Sequence, residues 1–345
     1  MTKQRLNANS GGVCVGMKVL VLSPLPEGVI RSLFAENLAK YKLEASFVTI
    51  NEYDVDALKR ELKDTDIVLG DYTFKIPITA EMCDAMTKVK LIQQPSTGYD
   101  HIDIRACAQK GIPVANIGGA NAISVAEHTV ALGLLLLKRI TYAHQKMLEG
   151  NWTQGELLNV AAELSGKTWG LIGLGRIGRE VATRAQAFGA HIVYYDVKRL
   201  PEDEETKLGC SFRELQRLLS ESDLVSIHVP LTHETEHMIG ERELRIMRST
   251  SVFINPSRGE LTDEEALARA VREGWIGGAG IDVFSKEPPD VTNPLISAAK
   301  EGLNIVLTPH IAGATSDARM RIIRVTVENV LRVMLGQKPQ NVVNL

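Results

Sequence analysis

The chain has 345 residues, 44% of them apolar and 23% charged, with 39 basic against 42 acidic side chains for a net charge of −3. That length suits two domains with substantial cores. The composition excludes a disordered or collagen-like chain, and the charge gives no sign of a nucleic-acid or anionic-membrane binder.

Residues 1–16 read as a loose polar leader. Short apolar strands at 17–23, 46–50, 65–70, 90–94 and 113–117 then alternate with helices at 27–39, 54–62 and 103–109. A long helix is predicted over 122–149, after the pair Gly118-Gly119. Its middle, 130–137, is apolar almost all round, so it is expected to bridge domains or subunits rather than lie on a wet surface. That run is also the longest apolar one and is too short to cross a bilayer. A second strand series follows at 168–173, 191–196, 223–229, 251–255, 278–284 and 304–308, and an amphipathic helix at 315–335 can return to the first module. Continuous Val/Ile/Leu strands alternating with helices predict an α/β chain with two doubly wound parallel sheets. The first domain is expected to be flavodoxin-like and built from both chain ends, 17–117 plus 311–345. The second, 118–310, is inserted into it. Cysteines at 14, 83, 107 and 210 form no CxxC pair and read as reduced thiols. With no secretory h-region, the expected location is cytoplasmic.

Gly173-Leu-Gly175-Arg-Ile-Gly178 ends strand 168–173 and opens a helix, and Asp196 ends the next strand. Strand, Gly-rich turn, helix and a later acid form the dinucleotide fingerprint, with the pyrophosphate at the helix N-terminus. Asp196 can accept from a ribose 2′-OH and repels a 2′-phosphate, so NAD is expected over NADP. Lys198 and Arg199 weaken that preference. Arg258, Glu287 and His310 each follow the end of a second-series strand, where such sheets bind ligands. Arg258 offers a fork for a carboxylate or carbonyl, His310 a proton, and Glu287 an orienting partner for the imidazole.

With these residues in place the chain resembles the D-isomer-specific 2-hydroxyacid dehydrogenase family. The resemblance is carried by STGYDHIDI (96–104), SVAEHTVAL (124–132), ELSGKTWGLIGLGRIG (163–178), HVPLTHET (228–235), NPSRGEL (255–261), GAGIDVFSKEPP (278–289) and LTPHIAG (307–313). It implies a catalytic trio of Arg258, Glu287 and His310, acting on a small 2-oxo or D-2-hydroxy acid. It implies carboxylate binding by backbone N–H groups around Thr97 and Gly98. Cofactor contacts are implied at Gly173, Gly175, Arg176, Ile177, Gly178, Asp196, Val229, Pro230, Pro256, Ser257 and Gly313, with Asp282 on the nicotinamide amide. It also implies a homodimer through helix 122–149.

Departures narrow the substrate. Formate enzymes of the superfamily carry Gln where this chain has Glu287, and phosphite dehydrogenase carries Lys where it has Thr97. The loop 71–76 lacks the Arg expected for phosphoglycerate. Lys75 can replace it in part, whereas Phe74 and Asp71 favour a smaller or less anionic acid, of glyoxylate or hydroxypyruvate size. Only 35 residues follow His310, so no regulatory C-terminal domain is expected. Phosphoglycerate dehydrogenase is the alternative reading within the family, and an NAD-sensing corepressor-like binding protein the alternative outside it. His233-Glu234-Thr-Glu-His237 matches HExxH but lacks a surrounding helical period, so no metal is expected. His101 has a possible place in the substrate loop, and His128 is read as a buried, hydrogen-bonded side chain.

Overall fold

The fold is that of a computed structural model, which describes residues 16–345. The expected leader, Gly16 apart, lies outside the described residues, as does Cys14. Two compact units are formed, one by the described residues up to Gly118 with Met320–Leu345, the other by Gly119–Arg319.

The first unit contains β1 (Met17–Leu22), α1 (Glu27–Tyr41), β2 (Ala45–Ile50), α2 (Val55–Leu62), β3 (Ile67–Leu69), α3 (Ala80–Ala85), β4 (Leu91–Gln93), α4 (Ile104–Gln109) and β5 (Val114–Ala115). All pairings are parallel in the order β2-β1-β3-β4-β5. Successive side chains point to opposite faces, so β1 sends Val19 and Val21 into one core and Leu20 and Leu22 into the other. Both faces are therefore covered, which is why this strand reads as an unbroken apolar run. Asp54 starts α2 by accepting from the N–H groups of Asp56 and Ala57, each at 3.0 Å, a cap contributing about 1 kcal/mol.

The second unit contains α5 (Ala122–Lys138), α6 (Ile140–Leu148), α7 (Gln154–Leu157), β6 (Thr168–Ile172), α8 (Arg176–Ala187), β7 (His191–Tyr195), α9 (Glu202–Leu208), β8 (Cys210–Phe212), α10 (Leu215–Glu221), β9 (Leu224–Ile227), α11 (Glu241–Ile246), β10 (Val252–Asn255), α12 (Glu264–Arg272), β11 (Gly278–Ile281), α13 (Pro294–Lys300) and β12 (Ile305–Leu307). The sheet order is β12-β11-β10-β9-β6-β7-β8, again all parallel. Chain order reverses between β6 and β9, which opens a crevice at their carboxyl ends. Trp169 on β6 is fully buried and its Nε1 donates to Ser226 Oγ of β9 at 2.9 Å. Burying its ring contributes about 2–3 kcal/mol and pins the two strands that flank the crevice.

Two expectations need correction. The helix expected over 122–149 is two helices, because Arg139 takes a left-handed conformation with φ 53° and ends α5. The apolar middle of α5 is buried within its own unit: Leu132 and Leu136 are nearly inaccessible and lie against Gly280 of β11. Most of the exposed apolar side chains of the expected helix and the segment after it come later, at Ile140, Met147, Leu148, Trp152, Leu158 and Val160. The return to the first unit falls at Met320, inside α14 (Ser316–Met334), rather than at 311. Residues 311–312 stay with the second unit because the N–H groups of Ile311 and Ala312 donate to Asp282, and Ser124 Oγ donates to the Ala312 carbonyl.

Candidate active site

The Gly-rich turn lies at the sheet's switch point. Gly173 leaves β6 at φ 95°, and a Cβ there would fall 3.0 Å from the backbone N of Val229, which follows β9. Gly178 packs α8 onto the turn so closely that a Cβ would sit 2.2 Å from the Gly173 carbonyl oxygen. A Cβ on Gly175 would meet nothing, and no side chain caps α8 at this residue. The first turn of α8 thus begins beside the crevice, and a helix N-terminus placed there suits a pyrophosphate. Ser257 Oγ donates to the Val229 carbonyl at 2.8 Å, and Ser257 N donates to Asn255 Oδ1 at 3.0 Å. These bonds bring Gly173, Val229 and the Pro256-Ser257 turn together. Asp196 accepts from Leu174 N at 2.9 Å, so the acid is tied to the glycine turn itself. Arg176 lies against Gly119, and Gly313 approaches Asn121. These features fit a dinucleotide.

The trio sits on loops after β10, β11 and β12. His310 Nδ1 lies 2.7 Å from Glu287 Oε2, and Glu287 Oε1 accepts from Phe284 N at 3.1 Å. Burial raises the Glu287 carboxyl, but the hydrogen bond and charge of His310, the Phe284 N–H and the charge of Arg258 outweigh it. The net displacement is below the ordinary carboxylate range. Asn255 Nδ2 donates to the Arg258 carbonyl at 2.7 Å, and Arg258 Nη1 donates to the Ser257 carbonyl at 2.8 Å. The turn that follows Arg258 passes so near the Glu287 loop that a Cβ on Gly259 would lie 2.0 Å from the Phe284 carbonyl carbon. Only glycine permits that approach.

Asp282 is fully buried and holds the His310 turn. Its Oδ1 accepts from Thr308 Oγ1 at 2.6 Å and Ile311 N at 2.9 Å, and its Oδ2 accepts from Ala312 N at 2.9 Å. His310 N donates to the Asp282 carbonyl at 2.7 Å, and His310 itself takes φ 52°. His128 Nε2 lies 3.0 Å from Thr308 Oγ1, so its reading as a hydrogen-bonded side chain holds, although it is half-buried rather than buried. Asp282 thus positions the His310 turn. Thr308 was not anticipated; its place one residue after β12, two before His310, was the available signal.

In the first unit, the loops bearing Lys75, Thr97 and Gly98 follow β3 and β4. The carbonyl of Thr97 accepts from Asn116 Nδ2 at 2.9 Å and that of Gly98 accepts from Ser96 Oγ at 2.7 Å. Lys75 is exposed. Asp71, expected to disfavour an anionic substrate, is instead buried and organises its loop, accepting from Thr73, Lys75 and Ile76 N–H groups at 2.8–3.1 Å. Phe74 packs edge-on to His101, ring centroids 4.7 Å apart. His233 and His237 lie in a turn rather than on a helix, with Pro230 leading into it. Burial pushes His228, at the end of β9, down to about 3, and its Nε2 lies 2.8 Å from Ser226 Oγ.

Residues 130–312 match the D-isomer specific 2-hydroxyacid dehydrogenase NAD-binding domain. A glyoxylate reductase of Korarchaeum cryptofilum is 40% identical over 285 residues, 82% of this chain and 84% of that protein. A D-3-phosphoglycerate dehydrogenase of Archaeoglobus fulgidus is 35% identical over 329 residues, 95% of this chain and 59% of that protein. The crystal structure of an Aquifex aeolicus D-lactate dehydrogenase, complexed with NAD and lactic acid, superposes with a TM-score of 0.78 at 34% identity, covering 92% of this chain and 96% of that one. The chain therefore belongs to the D-isomer-specific 2-hydroxyacid dehydrogenase family and is an NAD-dependent oxidoreductase of 2-hydroxy acids.

Proposed function

We propose that the enzyme reduces a small 2-oxo acid of glyoxylate or hydroxypyruvate size, with NADH preferred over NADPH and His310 as the acid/base. The observation that carries this reading is the 2.7 Å contact of His310 Nδ1 with Glu287. It fixes the ring through one nitrogen and leaves Nε2 to exchange the substrate proton. When bound, NAD supplies or accepts the hydride. His310 gives the carbonyl oxygen its proton, and Glu287 orients the imidazole and stabilises its charged form. Arg258 polarises the carbonyl through its fork and stabilises the developing oxyanion. We assign the substrate carboxylate to the backbone N–H groups of Thr97 and Gly98, whose carbonyls are already engaged.

Asp196 supports the preference for NADH, and the glyoxylate reductases among the relatives support the substrate size. The exposed Lys75 and the phosphoglycerate dehydrogenase relatives favour 3-phosphohydroxypyruvate as the second reading. A homodimer is proposed through the exposed apolar side chains between Ile140 and Val160, and a cytoplasmic location accords with reduced thiols at Cys83, Cys107 and Cys210.

NADH oxidation across glyoxylate, hydroxypyruvate, pyruvate and 3-phosphohydroxypyruvate tests the reading, with His310→Ala as the blank. One small acid should dominate, and the variant should lose roughly 100- to 10,000-fold in kcat while still binding NADH. Undiminished turnover in His310→Ala would overturn the acid/base assignment.

A further inference from the structure

Two thiols with no part in hydride transfer meet inside the first unit. Cys83 lies on α3 and Cys107 on α4, both fully buried, with their sulfurs 3.2 Å apart. The segments leading into the two helices are already bridged. Ile78 N donates to the His101 carbonyl at 2.9 Å, and Asp103 N donates to the Ile78 carbonyl at 2.8 Å. Lys110 and Asp84 pair at 2.8 Å across the same helices. The backbone thus holds the two cysteines facing one another across packed elements, the arrangement a disulfide requires. The two thiols share a hydrogen bond in which either sulfur can be the donor, so either can serve as the attacking thiolate once deprotonated. Cys210, on β8, belongs to the other unit and is no competitor within this one.

We propose that Cys83 and Cys107 are a redox modification site, oxidised by a hydroperoxide to a reversible intrachain disulfide that staples α3 to α4. The thiolate of one of the two cysteines attacks the peroxide O–O bond, becomes a sulfenic acid and, with a proton taken up, releases water or an alcohol. The other cysteine's sulfur then attacks that sulfenic sulfur, forming the S–S bond and expelling water. In sum, two thiols give up two electrons and two protons, and the hydroperoxide is reduced by the same amount. A dithiol reverses the step. The staple closes on the helix whose N-cap, Asp103, ends the loop bearing Thr97 and Gly98. Access to the closed core comes through local opening, which peroxide traps.

The full-length reduced enzyme, treated with hydrogen peroxide, unfolded, alkylated with iodoacetamide and digested with trypsin, tests this. The expected product is a crosslink between peptides 76–88 and 106–110, lost on treatment with dithiothreitol. The unfolding midpoint should rise by roughly 5 °C on oxidation. Cys83→Ala and Cys107→Ala should each abolish the crosslink and the rise. Because the wild-type peptide map stands without any variant, poor folding of either one leaves the test intact. Recovery of both cysteines alkylated, their overoxidation to sulfinic acids, or crosslinks to Cys14 or Cys210 in their place would overturn the proposal.

Discussion

Glu205 grips Arg199 through two parallel hydrogen bonds, 2.8 Å from Nε to Oε1 and 3.0 Å from Nη2 to Oε2. Arg199 lies three residues beyond Asp196, where a free guanidinium would welcome the 2′-phosphate of NADPH. Glu205 instead holds the cation in a bidentate pair and is itself braced by Tyr194, whose hydroxyl donates to it at 2.7 Å. Neutralising the partner should release that charge. In Glu205→Gln, NADPH is expected to bind roughly three- to fivefold more tightly, with NADH affinity unchanged, by fluorescence titration. Equal NADPH affinity in both proteins would show that Arg199 does not reach the ribose.

The glycine turn gives a steric prediction. A methyl group on Gly178 would fall 2.2 Å from the Gly173 oxygen, a backbone atom that cannot rotate away. Gly178→Ala must therefore lift α8 off the turn and move the N–H groups to which the pyrophosphate is assigned. We expect a stability loss of about 1–3 kcal/mol and at least a tenfold weaker NADH Kd. Calorimetry on the folded variant measures both. Gly175→Ala, where a Cβ meets no protein atom, should keep its stability and lose affinity alone.

Glu287 gives a pH prediction. Its folded-state carboxyl lies below its ordinary 4.5, so the contribution of the His310 pair is present above that value and disappears as pH falls through the lowered one. Both side chains are more than a third exposed, which keeps the effect small. Wild type should melt roughly 1–2 °C above Glu287→Gln near neutral pH, and the gap should close in acid. A constant gap down to low pH would remove the ion pair from the explanation. The same variant should lose roughly ten- to hundredfold in kcat, because a neutral amide stabilises the charged imidazole less.

The parts of this molecule that were legible in the sequence are those set by local periodicity and turn chemistry. The apolar runs, Gly173 to Gly178 and Asp196 are of this kind, and the two parallel sheets follow from them. The break at Arg139 left no clear trace, since neither Gly nor Pro marks it. The strand β8 was missed because three residues at a sheet edge carry too little pattern. Asp71 misled for a different reason. An acid after a strand looks the same in sequence whether it meets a ligand or its own loop, and here four donors from residues 73–76 claim it. The meeting of Cys83 with Cys107 depends on how α3 and α4 pack, which spacing does not encode.

Asp282 separates positioning from ligand binding most sharply. Its carboxylate accepts from Thr308 Oγ1, Ile311 N and Ala312 N while wholly buried. Asn in its place has one oxygen, and its amide hydrogens would face N–H donors that have no other partner. The expected cost is about 1–3 kcal/mol, read as a lower urea midpoint, with a fall in kcat as the His310 turn loosens. Thr308→Val removes one donor yet leaves the backbone bonds, so it should cost only about 0.5–1.5 kcal/mol. A side chain whose work was confined to the nicotinamide amide would behave otherwise. Asp282→Asn would then weaken NADH binding at an unchanged urea midpoint, and Thr308→Val would change neither.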